Sequence, residues 1–368
     1  MSKMKKVLPF IAVTMMGADL FAVSDMQVRN LENRVNALEQ RRGANGMINP
    51  PARPVVKDGI NLWLQAEALA MHATEDGLQF AIKQPNPSSF TAPELVNGRV
   101  KNVSYNWNWG WRVGVGYNLP HDGWDMLLNF TWFRAGEDTE TNRNATDGVS
   151  QTWTHPAYAG NFINSTASIP RATGFVTLKF RYLDFQMGRE FFVSKWLTLR
   201  PYVGARGLWN HRNLRVHYTI PNVVSLHAKM NTWCRAGGLL TGLDSQWSVG
   251  MGWSVYGQCA VSLLYGRQWL RTEQEQFLAS GGEKPVVHLS DRWNSVRFMA
   301  DLGAGIRWDQ PFCDDAYRIR LQLGWEEHIL TAFDRDIIFP DDIMHNDITF
   351  NHGDLAISGL AFQARFDF

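Results

Sequence analysis

The 368-residue sequence predicts an all-β chain closed into an antiparallel transmembrane β-barrel of about ten strands, preceded by a short helix. Three observations carry this reading. Apolar and polar residues alternate with a period of two in segment after segment, the connections alternate between short and long, and the last strand ends on Phe368.

Composition agrees. Formal net charge is +1, so no global charge draws the chain toward nucleic acid. Charged residues make up 19% and aromatics 12%, with 16 Trp and 31 Gly. Mean hydropathy is only −0.26, and beyond the N-terminus no run approaches the roughly 18 apolar residues of a membrane helix. Strands that present one apolar and one polar face average to such a mild value.

The first residues read as an export signal over 1–22. Lys3, Lys5 and Lys6 precede the apolar stretch Val7–Met16, and Leu20-Phe21-Ala22 offers a cleavage site after Ala22. Within 23–43, Val28, Leu31, Val35 and Leu38 fall at heptad a and d positions, with Glu32 and Glu39 at e and Arg34 and Arg41 at g. Two heptads are too short to hold a coil by themselves, so a solitary periplasmic helix and an associating one both stay open. Residues 44–57 read as an extended linker rich in Gly and Pro, and 58–368 as the barrel.

The clearest strand lies within Ser104–Asn118. Tyr105, Trp107, Trp109, Trp111, Val113, Val115 and Tyr117 share one face, while Asn106, Asn108, Gly110, Arg112, Gly114 and Gly116 share the other. Trp124, Met126, Leu128, Phe130 and Trp132 continue the pattern after a turn at Pro120-His121-Asp122-Gly123. Further apolar rows are Val176, Leu178, Phe180, Tyr182; then Leu197, Leu199, Val203, Ala205, Trp209; then Val296 through Trp308; and Tyr317 through Trp325. Ten strands are predicted near 60–72, 103–118, 124–134, 174–189, 196–209, 234–247, 253–266, 294–308, 317–327 and 354–368. Leu78–Lys83 and Leu214–Ile220 read as extensions or extra strands, which would raise the number to twelve.

Short turns fall near 119–123, 190–195, 248–252 and 309–316, and long polar segments near 73–103, 135–173, 210–232, 268–292 and 328–353. Short periplasmic turns opposite long external loops are the habit of bacterial outer-membrane barrels. Trp124, Trp196, Trp253 and Trp308 border short turns, whereas Trp132, Trp209 and Trp325 border long segments, which sets two aromatic girdles. The expected location is the bacterial outer membrane, with lipid as the first partner.

The terminal Phe362-Gln363-Ala364-Arg365-Phe366-Asp367-Phe368 resembles the signal by which the barrel-assembly machinery recognises its clients. Three segments carry a closer resemblance: Arg189–Ser194 running into Trp196–Gly207, Leu240–Asp244 leading to Ala260–Gly266, and Asp301-Leu302-Gly303-Ala304-Gly305-Ile306-Arg307-Trp308. They are similar to the major-outer-membrane-protein-like porins of Legionella and chlamydia-related bacteria, over most of 58–368. The resemblance implies an abundant surface porin with no catalytic residues to carry over. Only three cysteines are present (Cys234, Cys259, Cys313), so the disulfide-cross-linked envelope of the cysteine-rich relatives is not expected.

No G-x-S-x-G or H-E-x-x-H motif occurs, Glu326-Glu327-His328 lacks a second His, and the cysteine spacings fit no metal motif. A site assembled from several loops stays open on sequence grounds, but no enzyme, cofactor or metal is expected. Asp334, Asp336, Asp341 and Asp342 read as a solvated loop. The candidate pore-lining residues are Arg112, Lys179, Arg181, Arg200, Arg206, Asp244, Arg297, Asp301, Arg307, Arg318, Arg320, Glu326 and Arg365, with Glu67 and Asp367 on the same face. Ten basic groups against five acidic ones suggest a porin-type channel for small solutes with a mild anion preference. The competing expectation is a closed barrel whose charges pair across the lumen, serving as an anchor or adhesin through 135–173 and 328–353. Oligomerisation is left open.

Overall fold

The computed structural model describes residues 52–53, 56, 59–85, 98–120, 122–142, 147–153, 169–220, 224–339 and 349–368. The expected signal peptide and heptad helix lie outside these residues. In chain order the strands are β1 Leu62–Glu75, β2 Gln79–Pro85, β3 Arg99–Asn102, β4 Trp107–Asn118, β5 Trp124–Asn142, β6 Asp147–Gln151, β7 Arg171–Arg189, β8 Phe191–Phe192, β9 Leu197–Ile220, β10 Val224–Gly250, β11 Trp253–Leu278, β12 Glu283–Phe312, β13 Tyr317–Ile338 and β14 Thr349–Asp367.

Ten of them pair antiparallel, each with its neighbour, in the order β1, β4, β5, β7, β9, β10, β11, β12, β13, β14, and β14 returns to β1. The seam is tied at the end by Phe368, whose N–H donates to the Leu62 carbonyl at 3.0 Å. β2, β3 and β6 form a separate three-stranded sheet, so Gln79–Pro85 is an extra strand that does not join the barrel's ring, whereas Leu214–Ile220 prolongs β9.

The stagger of the barrel can be read from its register. One way round, Ala68 leads through Trp111, Trp132, Arg181, Trp209, Arg235 and Arg267 to Asn294. The other way it leads through Phe362 and Leu323 to Ile306. The two ends differ by 306 − 294 = 12 residues on β12. Ten strands with a shear of twelve tilt by about 40° and enclose a backbone cylinder about 20 Å across.

The short connections are tight. At the first, Asp122 and Gly123 both take positive φ (62° and 70°), the conformation that joins twisted antiparallel strands in two residues. By the habit of outer-membrane barrels this end faces the periplasm; it is called the inner end below.

Large apolar side chains face outward in a continuous band. Trp109, Val113, Leu239, Leu263, Val296, Leu302 and Phe362 are all exposed. Beyond the band, the segments 210–232 and 268–292 are not loops as expected from sequence. β9, β10, β11 and β12 run on through them, to 24, 27, 26 and 30 residues. At this tilt 27 residues rise roughly 65 Å, over twice the height of an apolar belt of about 25 Å. The projecting walls are held by the interior: Leu214, Val216, Tyr218, Val224, Leu226 and Met230 point inward and are buried.

The outward face of β10 thus crosses from lipid to water. Leu239→Arg, in the lipid band, is expected to destabilise the barrel by roughly 2–4 kcal/mol, and Ser225→Arg, on the same face near the outer tip, by much less. The temperature at which the folded form shifts gel mobility would show it; equal effects would mean that β10 is not embedded as described.

Candidate functional site: the barrel lumen

Three layers fill the interior. The innermost is a polar cavity of about 1130 Å³, including the solvent at its mouth. Near the inner end Arg53, Glu190, Thr198 and Gln246 border it. Arg53 bridges part of the mouth by donating to the carbonyls of Leu119 and Trp124. Along the walls Arg200 binds Asp125 (2.5 Å) and Asp244 (3.0 Å), and Arg320 and Arg318 share Asp309 (2.7 and 3.2 Å). Arg365 pairs with Asp367 and lies over the Trp63 ring, 4.2 Å from its centroid. That ring has room because position 116 is glycine: a Cβ there would collide with it. Arg307 differs from the others, since its hydrogen bonds go to the neutral Gln322 and Gln246.

Above the cavity a chain of ion pairs crosses the lumen. Arg112 reaches Glu67 on the next strand (2.5 Å) and Glu326 on β13 (2.8 Å), and donates to the Tyr182 hydroxyl. His328 lies between Glu326 (3.4 Å) and Asp301 (2.7 Å), and Arg206 joins Asp301 (2.5 Å) to Asp184 (2.7 Å). The Asp301–His328 contact has the length of a general-base pair, and the imidazole lies between two carboxylates. Removing one member of a buried pair costs roughly 3–5 kcal/mol, because its partner is left charged and dry; the belt therefore ties opposite walls of the barrel together.

The outer half is mainly apolar. Leu69, Met71, Phe133, Leu178, Phe180, Leu208, Leu264 and Met299 are buried inside the barrel wall, together with Leu78 and Phe80 at the small sheet and Val103 just beyond β3. The small sheet is fastened to the wall: the Tyr218 hydroxyl donates to the Phe80 carbonyl at 2.5 Å, and Gln274 donates to the Trp153 carbonyl at 2.7 Å. Arg212 is embedded here at 0% exposure, with Glu75 at 2.7 Å and with Asp334 and Asp336. Asp334 and Asp336 are consequently not part of a solvated loop, as expected from sequence; Asp341 and Asp342 lie outside the described residues.

Of the thirteen candidate lining residues, Arg112, Arg200, Arg206, Asp244, Arg297, Asp301, Arg307, Arg318, Arg320, Glu326 and Arg365 face the lumen. Lys179 and Arg181 do not. They face outward, because Val176, Leu178, Phe180 and Tyr182 turn inward to join the apolar layer. Size alone assigns the large residues of β7 to lipid, yet past the bilayer the dry side of the wall is the interior. Asp125, Asp184, Asp309, Arg212 and Glu75 are lumenal residues that sequence reasoning misses. For Arg212 a signal exists: it continues the even phase of Arg200 and Arg206 into a segment that reads as loop. The cavity wall carries seven Arg against six Asp and Glu, so the basic surplus counted from sequence largely disappears.

Cys234, Cys259 and Cys313 are all free, and among the described residues no three His, Cys, Asp or Glu side chains are grouped to hold a metal.

A closed ten-stranded barrel with a lipid-facing band, polar at one end of its lumen and dry at the other, is a bacterial outer-membrane barrel protein. The family described as Legionella pneumophila major outer membrane protein precursor matches residues 57–368, and the chain belongs to that family. Among solved structures it is similar to the outer membrane protease OmpT from Escherichia coli (7% identity, 88% of this chain and 99% of that one, TM-score 0.36). It is also similar to a major outer membrane protein from Thermus thermophilus (12%, 83% and 99%, TM-score 0.26) and to the toluene transporter TodX of Pseudomonas putida (9%, 88% and 93%, TM-score 0.23). None of the curated proteins matches.

Well above the membrane band, on the outward face of the β9–β10 hairpin, the His217 and His227 rings stack 4.1 Å apart. Burial, then His227 and Arg215, push His217 down to about 4, and burial lowers His227. Between the ordinary value near 6.5 and about 4, an unfolded hairpin takes up a proton that the folded one refuses, so its stability falls as pH falls through this window. The protection factors of amides in 214–220 and 224–228, measured against the intrinsic exchange rate at each pH, are expected to fall from pH 7 to pH 5 and to lose that dependence in His217→Gln with His227→Gln. Unchanged protection in the native chain at pH 5 would contradict it.

Proposed function

We propose that the protein is a porin-type channel for small polar solutes whose outer half forms a gate, shut in the conformation described. The carrying observation is the contrast between the two halves of one lumen. The outer half is filled mainly with apolar side chains around one dry ion cluster, Arg212 with Glu75, Asp334 and Asp336, whereas the inner half keeps charged groups around a wet cavity. Burying ions costs several kcal/mol each unless they are paired or solvated, so a lumen with no use for water has little reason to retain them. Solutes entering from the periplasm would reach the Arg112–Glu326 crossing; passage beyond it requires the small sheet and its apolar contacts to shift.

Selectivity in this reading is weak, since acids and bases on the cavity wall nearly balance. The remaining bias comes from Arg307, whose hydrogen bonds reach only amide oxygens, and it favours anions.

The second reading, a permanently closed anchor or adhesin, is favoured by the same apolar layer taken as static. Planar-bilayer recording separates the two. The native protein is expected to give rare, small current steps, and replacement of 79–102 by a short Gly-Ser linker to raise open time and conductance severalfold. Reversal potentials across a salt gradient should show a slight anion preference that Arg307→Gln abolishes. No current from either form would leave the closed anchor.

A further inference from the structure

Lys179 and Arg181, turned out of the lumen, belong to a second arrangement. Arg181 lies directly opposite Trp209, which lies opposite Arg235, which lies opposite Arg267 on β11. One row further out, Lys179 lies opposite Arg134 and His211, and His211 stacks on Trp233 at 5.1 Å. Two pairs of like charges, Arg134 with Lys179 and Arg235 with Arg267, thus face each other across adjacent strands, which is destabilising unless an anion sits between them. Among the described residues none of these five cations makes an ion pair; Glu273, farther along the same face, is taken by Arg271 at 2.6 Å and Lys229 at 3.8 Å. The Arg181 Nε is buried with no hydrogen-bond partner. Arg235 and Arg267 both lie near the Trp269 ring, at 5.8 and 6.0 Å from its centroid.

Height decides what meets them. At a tilt near 40° a hydrogen-bonded row climbs about 3 Å per strand, so the five cations fall in a band roughly 10 Å deep. Directly below it Phe185, Leu239 and Leu263 are exposed to lipid. The band therefore lies where the apolar core of the outer leaflet gives way to headgroups. Arg and Lys stems can lie along apolar surface there while their heads reach outward, and Arg with interleaved Trp suits phosphate held at an interface.

We propose that this outward face of β5, β7, β9, β10 and β11 is a binding site for phosphorylated lipid of the outer leaflet, with Arg181, Arg235 and Arg267 as its centre. It is independent of whether the lumen conducts.

The test uses full-length protein in detergent and two probes: lipid A carrying both phosphates, and the same lipid after dephosphorylation. Native mass spectrometry is expected to show retention of the first, at least tenfold weaker retention of the second, and loss of binding as salt is raised. Arg181→Ser with Arg235→Ser and Arg267→Ser should weaken the phosphorylated lipid by at least tenfold, while Arg271→Ser, whose partner is Glu273, should not. Arg181→Gln alone, with gel mobility showing a folded barrel, should weaken it severalfold and covers the case where the triple variant fails to assemble. Equal retention of both lipids, or undiminished binding in folded Arg181→Gln and the triple variant, would overturn the proposal. So would displacement of the lipid by millimolar inorganic phosphate, which would mark a small-anion site instead.

Discussion

Closure of the sheet is the constraint on which the rest depends. In hydrocarbon a backbone N–H or C=O has no water to bond, so a strand edge cannot be left open. Here ten strands meet that demand by pairing right around, and the twelve-residue stagger between the two ways round the ring fixes the tilt and the diameter together. Once the ring is closed, each residue's face follows from its parity along the strand. Arg112 and Val113, adjacent in sequence, are thereby sent to opposite solvents.

What changes along the strands is which solvent lies on which side. Through the bilayer the outside is apolar and the lumen holds ion pairs; beyond it the outside is wet and the lumen is dry. β7 shows the inversion on one strand, with Phe185 and Met187 exposed outward near the inner end and Phe180 and Leu178 buried inward farther out. The Arg112–Glu326–His328–Asp301–Arg206 chain sits where the two regimes meet. It braces the barrel with paired charges that lipid could not accommodate, and it marks the upper limit of the wet cavity.

Much of this is legible in the sequence because parity is legible. Ten strands, the short turns and eleven of the lumenal candidates follow from counting every second residue. The failures share one physical cause, the assumption that large apolar residues always seek lipid. That assumption places Lys179 and Arg181 in the lumen, and it turns the outer halves of β9 to β12 into loops, since their polar outward faces look solvated and their inward Leu214, Val216 and Leu226 look isolated. The ion pairs of Arg212 with Glu75, Asp334 and Asp336 join residues more than a hundred positions apart, and no local pattern announces them.

One lumen is divided into a wet inner half and a dry outer half. Single cysteines introduced into a Cys234→Ser, Cys259→Ser, Cys313→Ser background would test it directly, with a charged thiol reagent applied to the folded protein. Gln246→Cys, on the inner cavity wall, is expected to be labelled within minutes, and Val176→Cys, in the apolar layer, to stay unlabelled until the barrel is unfolded. Labelling of both at similar rates would show a continuous aqueous lumen and contradict the account.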